Sequence, residues 1–222
     1  MDFTLFTNTY LVVCSALGLG YCVHTISNRK MAPLYLTYAA LTFLCILLSR
    51  IYYAASVFCF GEIPKSFNIG FVGYCAMFLF LFFCNAGTMD KLIRDTVSKN
   101  KLYSIVPVVI PVLELTFAVL ALAAGSVLIH VRISFLVMSV LAGLAGYLNL
   151  KLIFAPDVED GIIAAIRGYN VLCLLLEILT LLEVGLSCFG INTSIFYIQI
   201  ALGILYLLMM PVLAREVKKW LQ

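Results

Sequence analysis

The sequence predicts an all-α integral membrane protein, a single domain in which seven transmembrane helices form one bundle. Three observations lead to this prediction. Of the 222 residues, 64% are hydrophobic and only 11% are charged, and the mean hydropathy is +1.11. The apolar residues form nearly unbroken runs of about 20 residues, the length at which a helix crosses a bilayer. The basic residues concentrate in alternate connections between these runs.

The composition excludes a soluble domain, because so few charges could not cover the apolar side chains of a chain of this size. In lipid every backbone polar group must be paired internally, so a spanning segment is either a helix or a strand of a closed barrel. Barrel strands would appear as alternating runs of about 10 residues. The long continuous runs therefore predict helices.

The predicted domain covers residues 1–222, and short connections separate its spans. In order, the predicted spans are 5–26, 34–57, 69–88, 104–128, 132–150, 164–188 and 195–215. The first is a retained span, since MDFTLFTNTYLVV lacks the basic segment and the cleavage site of a signal peptide. Each later span follows a segment rich in Gly, Pro or charged residues: 27–33, 59–68, 90–101, the tight turn His130-Val131-Arg132, 154–161 and 190–194.

The basic residues predict the orientation of the bundle. Alternate connections divide them into 11 on one side and 3 on the other. The larger set is Arg29, Lys30, Lys91, Arg94, Lys99, Lys101, Lys151, Arg167, Arg215, Lys218 and Lys219; the smaller is Arg50, Lys65 and Arg132. Because basic residues are enriched on the cytoplasmic side, we expect a multi-pass protein of the cell membrane with a cytoplasmic C-terminus and an external N-terminus.

Small residues recur at four-residue spacing in two spans, a pattern typical of close helix packing. The pairs are Ser139/Gly143 and Ala142/Gly146 in the fifth span and Ala121/Gly125 in the fourth. They are explained either by packing within one bundle or by the interface of a homo-oligomer.

Two carboxylates lie near the predicted midplane, Glu114 in the fourth span and Glu177 in the sixth. Asn170 precedes Glu177 by seven residues and so lies on nearly the same helix face. An ionisable group in hydrocarbon costs roughly 3 kcal/mol on insertion scales, so these residues are either used or paired. They could carry a proton or an ion, or they could be neutral, hydrogen-bonded packing groups.

A second polar layer is predicted nearer the outside. Arg50, Glu183 and Gln199 each lie roughly 7–9 Å outward of the centres of their spans. An Arg50–Glu183 ion pair is the simplest way to keep both charges in this layer. The layer could be the floor of an outward-facing pocket for a small polar or charged ligand, or the ion pair could have a purely structural role.

Several classes of function are not indicated. The chain has no nucleophile–base pair and no catalytic motif, so we do not expect an enzyme. Its eight cysteines show no metal-ligand spacing, and we expect no metal and no cofactor. The small net charge of +3 comes from basic residues concentrated at one membrane face, so it gives no reason to expect nucleic acid as a partner. The expected partner is the lipid bilayer.

Three segments carry a resemblance to a known family: NRK at 28–30, RIYY at 50–53 and NIGFVGY at 68–74. Together with the predicted cytoplasmic C-terminus, their layout resembles the seven-helix sensory region found ahead of bacterial histidine kinases. The resemblance extends over most of the chain and implies a module that detects a small ligand outside or within the membrane. No kinase or other output domain follows Gln222, so such a module is expected to act through a partner, for example via the charged connection 90–101.

The alternative is a small-solute or ion transporter or channel. It would use Glu114 and Glu177 for coupling and helix bends at Pro111 and Pro211 for gating. A transporter must expose its midplane layer to each side in turn, whereas a sensor needs only an outward pocket.

Overall fold

The computed structural model describes residues 3–28, 34–61, 68–92, 101–124, 128–155, 162–189 and 192–220, and these residues form seven α-helices. The helices are α1 (Phe3–Ser27), α2 (Leu34–Phe60), α3 (Ile69–Leu92), α4 (Lys101–Ala124), α5 (Ile129–Phe154), α6 (Ile162–Phe189) and α7 (Asn192–Trp220). All seven are long and apolar enough to cross a membrane, as the sequence predicted. The described part of the chain therefore has the fold of a multi-pass membrane protein.

Six of the helices form a closed ring in the order α1, α2, α3, α5, α6, α7, with α7 packed again on α1. Helix α4 lies outside this ring, against α5 and α6. The alternation of helix directions brings the ends of α1, α3, α5 and α7 together with the starts of α2, α4 and α6, and we call this the C-terminal end of the bundle. The ring encloses a core in which polar side chains can be kept from lipid.

The helices have apolar side chains on nearly every face, which is typical of membrane spans. Aromatic and aliphatic side chains such as Phe43, Phe78 and Phe135 are fully buried in the ring. Large apolar side chains such as Leu48, Leu120 and Leu144 are exposed on its outside, where lipid would contact them. The most informative residues are therefore the buried polar ones.

The fourth connection was placed wrongly by the sequence analysis. Residues His130, Val131 and Arg132 lie in the first turn of α5. The fourth span was predicted to extend to residue 128, but Leu128 is the extended N-cap of α5 (φ −61°, ψ 145°). Helix α4 ends at Ala124, before three residues outside the described ranges. The polar residues His130 and Arg132 suggested a loop, but a helix end at the membrane surface accommodates the same residues.

The small residues of α5 pack within the bundle. Ser139 and Ala142 are fully buried. A Cβ on Gly143 would lie 3.4 Å from the Pro111 Cβ, and one on Gly146 would lie 3.0 Å from the Glu177 Oε2. The two glycines let α4 and α6 approach α5 closely. Packing within one bundle is therefore confirmed as the explanation of the four-residue spacing of small residues in α5. Gly125 of the other pair lies outside the described residues.

Candidate functional site

The predicted ion pair between Arg50 of α2 and Glu183 of α6 is present. Arg50 Nη1 donates to Glu183 Oε1 at 2.8 Å, and Arg50 Nη2 donates to Glu183 Oε2 at 2.6 Å. Gln199 of α7 completes the predicted group, since its Nε2 donates to Glu183 Oε1 at 2.8 Å. All three residues are buried, Arg50 to 1% exposure. The pair is bidentate, the geometry in which a guanidinium and a carboxylate interact most strongly.

Two tyrosines that were not predicted as site residues complete this group. The Tyr206 hydroxyl lies 3.4 Å from Arg50 Nη2, and the Arg50 guanidinium lies 5.4 Å from the centre of the Tyr74 ring. The contact with the ring adds a cation–π attraction between two buried side chains. Tyr206 follows Gln199 by seven residues on α7 and so shares its face, a signal that could have identified it. We call Arg50, Tyr74, Glu183, Gln199 and Tyr206 the ion-pair cluster.

The two predicted midplane carboxylates also lie together. A Cβ placed on Gly146 would lie 3.0 Å from Glu177 Oε2 and 3.7 Å from Glu114 Oε2, so the separation of these two oxygens cannot exceed the sum of the two distances. Glu177 is fully buried and Glu114 is 6% exposed. Glu114 reaches this position from outside the ring because Gly143 and Gly146 leave room on α5.

A chain of hydrogen bonds extends from Glu177 across the interior of the ring. Asn149 of α5 donates its Nδ2 to Glu177 Oε1 at 2.6 Å, and Asn85 of α3 donates to Asn149 Oδ1. The Tyr35 hydroxyl of α2 lies 3.5 Å from Asn85 Oδ1 and 3.4 Å from Asn170 Oδ1. Asn170 is thus connected to Glu177 through three other side chains. We call these residues, together with Glu114, the amide–carboxylate cluster.

The amides Asn149 and Asn85, and Tyr35, were missed by the sequence analysis. Asn149 and Asn85 lie inside the predicted fifth and third spans, and a buried amide in hydrocarbon is itself a signal. Depth along a span does not show which neighbouring helix a side chain will face, so the chain of hydrogen bonds could not be assembled from the sequence.

Several buried atoms of the amide–carboxylate cluster have no hydrogen-bond partner in the described part of the chain. They are both carboxylate oxygens of Glu114, Oε2 of Glu177 and Nδ2 of Asn170. Thr180, one turn after Glu177, is fully buried and its hydroxyl is likewise unpartnered. Buried polar atoms are nearly always paired, so each of these points to a proton, an ion, a water molecule or a ligand.

Helix α6 connects the two clusters. It carries Asn170, Glu177, Thr180 and Glu183, all buried, and we call these four residues the polar column. The column spans 13 residues, which corresponds to about 20 Å of the roughly 30 Å hydrocarbon core. Buried polar groups therefore occur along one helix through most of the membrane, although Glu183, six residues after Glu177, lies on a different side of that helix.

Within the described ranges, no group of three or more His, Cys, Asp or Glu side chains is arranged to hold a metal ion. Comparison with protein-family models, with curated proteins and with solved structures found no match to this chain. The geometry of the two clusters is therefore the basis for proposing a function.

Proposed function

We propose that this protein is a small-solute or ion transporter in which Glu114 and Glu177 bind the coupling proton or cation. The observation that carries the proposal is a set of three buried carboxylate oxygens, two on Glu114 and one on Glu177, that have no partner among the described residues. Buried carboxylates inside membrane bundles are rare and typically belong to proton or ion pathways.

Two adjacent buried carboxylates cannot both stay ionised and unpaired. Desolvation of an isolated charge is far more costly than desolvation of a neutral group, and mutual repulsion adds to it. A proton or a cation bound between Glu114 and Glu177 removes most of this cost. Asn149 supports the same site, because its Nδ2 donates to the other oxygen of Glu177.

The polar column supports transport over fixed binding. Polar side chains extend from the two carboxylates toward the C-terminal end of the bundle, and they are Asn149, Asn85 and Tyr35. In the other direction, Thr180 lies between Glu177 and Glu183 in the sequence of α6, and its buried hydroxyl has no partner in the described part of the chain. Helix α4, which carries Glu114 and Pro111, is outside the ring and is the helix that can move with the least disruption of other contacts.

The orientation and location form part of the proposal. With 11 basic residues on the side of the C-terminus and 3 on the other, the C-terminus would be cytoplasmic and the protein would lie in the cell membrane. The C-terminal end of the bundle would then be the cytoplasmic entrance to the carboxylates, and the ion-pair cluster would lie toward the outside.

The test is water access to the polar column from each side of the membrane. Thr180→Cys, in a variant with all eight native cysteines replaced, places a thiol of similar size between Glu177 and Glu183. Leu175→Cys is the matched control, since Leu175 is on the same helix and 44% exposed to lipid. Membrane-impermeant thiol reagents are added outside or inside vesicles of known protein orientation, and the labelled fraction is measured.

A transporter is expected to give labelling of Thr180→Cys from both sides and none of Leu175→Cys. Labelling from one side only would contradict transport and favour a sensor. Absence of labelling from either side would contradict both functions and leave the polar residues with a structural role.

A signalling module is the second proposal, and the ion-pair cluster favours it. Four helices meet in this cluster, and an anionic ligand that bound Arg50 in place of Glu183 would release α2 from α6 and α7. Such a two-state contact is a common basis for switching. In this proposal a cytoplasmic partner or a second copy of the chain would receive the signal. Neither proposal includes catalysis.

A further inference from the structure

A surface groove lies between the ends of α1 and α7, on the lipid-facing side of the ring. Its volume is about 620 Å³, and its lining includes Tyr21, His24 and Asn28 of α1 and Pro211 and Arg215 of α7. These residues belong to neither cluster described above. The two helices run in parallel and contact one another along their length, and a hydrogen bond between Tyr10 and Ile200 joins them.

The polar lining of the groove includes a guanidinium, which can only donate, and amide, imidazole and hydroxyl groups, which can donate as well as accept. Arg215 is exposed and forms no ion pair with a carboxylate among the described residues. Asn28 Nδ2 lies 2.9 Å from His24 Nε2, and because an amide nitrogen can only donate, Nε2 is the acceptor. In a neutral imidazole the proton then lies on Nδ1, which is left as a donor. The groove is thus suited to an anion with several oxygens.

The groove continues into two apolar stripes. On α1, Leu17, Tyr21, His24 and Asn28 follow at spacings of four, three and four and share one face. On α7, Ile204, Leu208, Pro211 and Arg215 repeat the same spacings. Leu17 is 59% exposed, and Ile204 and Leu208 are each 51% exposed. Each stripe is apolar toward the middle of the bundle and polar at its end.

The depth of the groove matches that of lipid headgroups. The first and seventh spans predicted from the sequence end at residues 26 and 215, at the level of this groove. Tyr21 lies one to two turns inside this level, where aromatic side chains with a polar tip are enriched. The sequence adds further positive charge close by, with Arg29 and Lys30 after α1 and Lys218 and Lys219 near the end of α7.

We propose that this groove binds the phosphate headgroup of one anionic phospholipid, held by Arg215 and His24, with its acyl chains along the Leu17 and Ile204/Leu208 stripes. A free phosphate would use the donors but not the exposed apolar stripes, which favours the lipid as the occupant. Basic pockets between helices at a membrane face commonly bind anionic headgroups. The site shares no residue with the polar column, although its lining includes Pro211, one of the two helix bends that a transporter would use for gating.

The experiment measures lipid binding to the purified full-length protein by native mass spectrometry, with phosphatidylglycerol and phosphatidylcholine of identical acyl chains. We expect one phosphatidylglycerol to bind more tightly than phosphatidylcholine. Arg215→Gln is expected to weaken phosphatidylglycerol binding about fivefold, the effect of one basic residue near a membrane surface. Arg215 is exposed, so its replacement should leave the thermal unfolding temperature of delipidated protein unchanged.

Lys151→Gln is the matched control. Lys151 lies at the same end of the bundle but on α5, which is separated from α1 and α7 in the ring, and its Nζ lies 4.6 Å from the Tyr147 ring centre. This variant should bind phosphatidylglycerol as the wild type does. An equal loss in both variants would indicate a diffuse basic surface and overturn the proposal.

Two further results would also overturn it. Equal binding of phosphatidylcholine and phosphatidylglycerol would show that the negative charge is not recognised. Displacement of phosphatidylglycerol by millimolar inorganic phosphate, with Arg215→Gln abolishing the effect, would identify a free anion as the occupant. Because these readouts do not involve Glu114 or Glu177, failure here is distinguishable from failure of the proposed transport function.

Discussion

The two buried clusters differ in how completely their carboxylates are hydrogen-bonded, although both depend on α6. Glu183 in the ion-pair cluster and Glu177 in the amide–carboxylate cluster are six residues apart on this helix and are both buried. Both Glu183 oxygens are bonded to Arg50, and one of them also accepts from Gln199. Glu177 has a partner for one oxygen, and Glu114 beside it has none in the described part of the chain.

The difference separates an acid whose oxygens are both bonded within the fold from two acids that keep oxygens without a partner in the described part of the chain. Removing one partner of a buried ion pair leaves an unpaired charge, so the loss of either Arg50 or Glu183 should be strongly destabilising. The amide–carboxylate cluster leaves acceptors free and places one of its acids on α4, outside the ring. Burial alone, which is similar for these three glutamates, does not separate the two roles.

The largest expected effect comes from breaking the ion pair. Glu183→Gln and Arg50→Gln should each lower the free energy of unfolding by about 3–5 kcal/mol, because each leaves the other charge buried without its partner. The double variant should lose less than the sum of the two single losses, since two neutral amides can bond to each other. Steric trapping in bicelles measures all three values. Additive losses would contradict the coupling between the two residues.

A smaller effect is expected from interrupting the amide chain. Asn149→Ala removes the donor to Glu177 and the acceptor for Asn85, and should lower the free energy of unfolding by about 2 kcal/mol. Asn8→Ala is the matched control, because Asn8 is also buried but bonds only to the Thr4 carbonyl of its own helix among the contacts described. Its loss should be smaller in the same unfolding measurement. Equal losses would mean that the hydrogen bonds between helices add nothing to the free energy of unfolding beyond local packing.

The fold and the depth of the polar residues could be predicted from the sequence, but their partners could be predicted only where charge required them. Arg50 and Glu183 were paired in the prediction because no other opposite charge lay in their layer. Asn149 and Asn85 were missed, because an uncharged amide has many acceptable partners and helix order around the ring is not encoded in span order. The position of α4 outside the ring, which decides how Glu114 reaches Glu177, also depends on tertiary packing.

The smallest effect on stability, and the one that sharpens the comparison most, is expected from Glu114→Gln. This is the same chemical change as Glu183→Gln, but Glu114 has no hydrogen-bond partner to lose in the described structure. The variant removes a costly buried acid, and its new amide can donate to Glu177 Oε2, which is also unpartnered. In buffer whose only cation is choline, we expect the free energy of unfolding to change by less than about 1 kcal/mol.

The same pair of proteins tests what occupies the space between the carboxylates. If Glu114 and Glu177 bind a small cation, added sodium or potassium should raise the unfolding free energy of the wild type by mass action but not that of Glu114→Gln. If they share a proton instead, the salts should have no specific effect, and the difference between the two proteins should vary with pH. A loss in Glu114→Gln as large as that in Glu183→Gln, under all conditions, would mean that Glu114 has a fixed structural partner. The contrast between the two clusters would then fail.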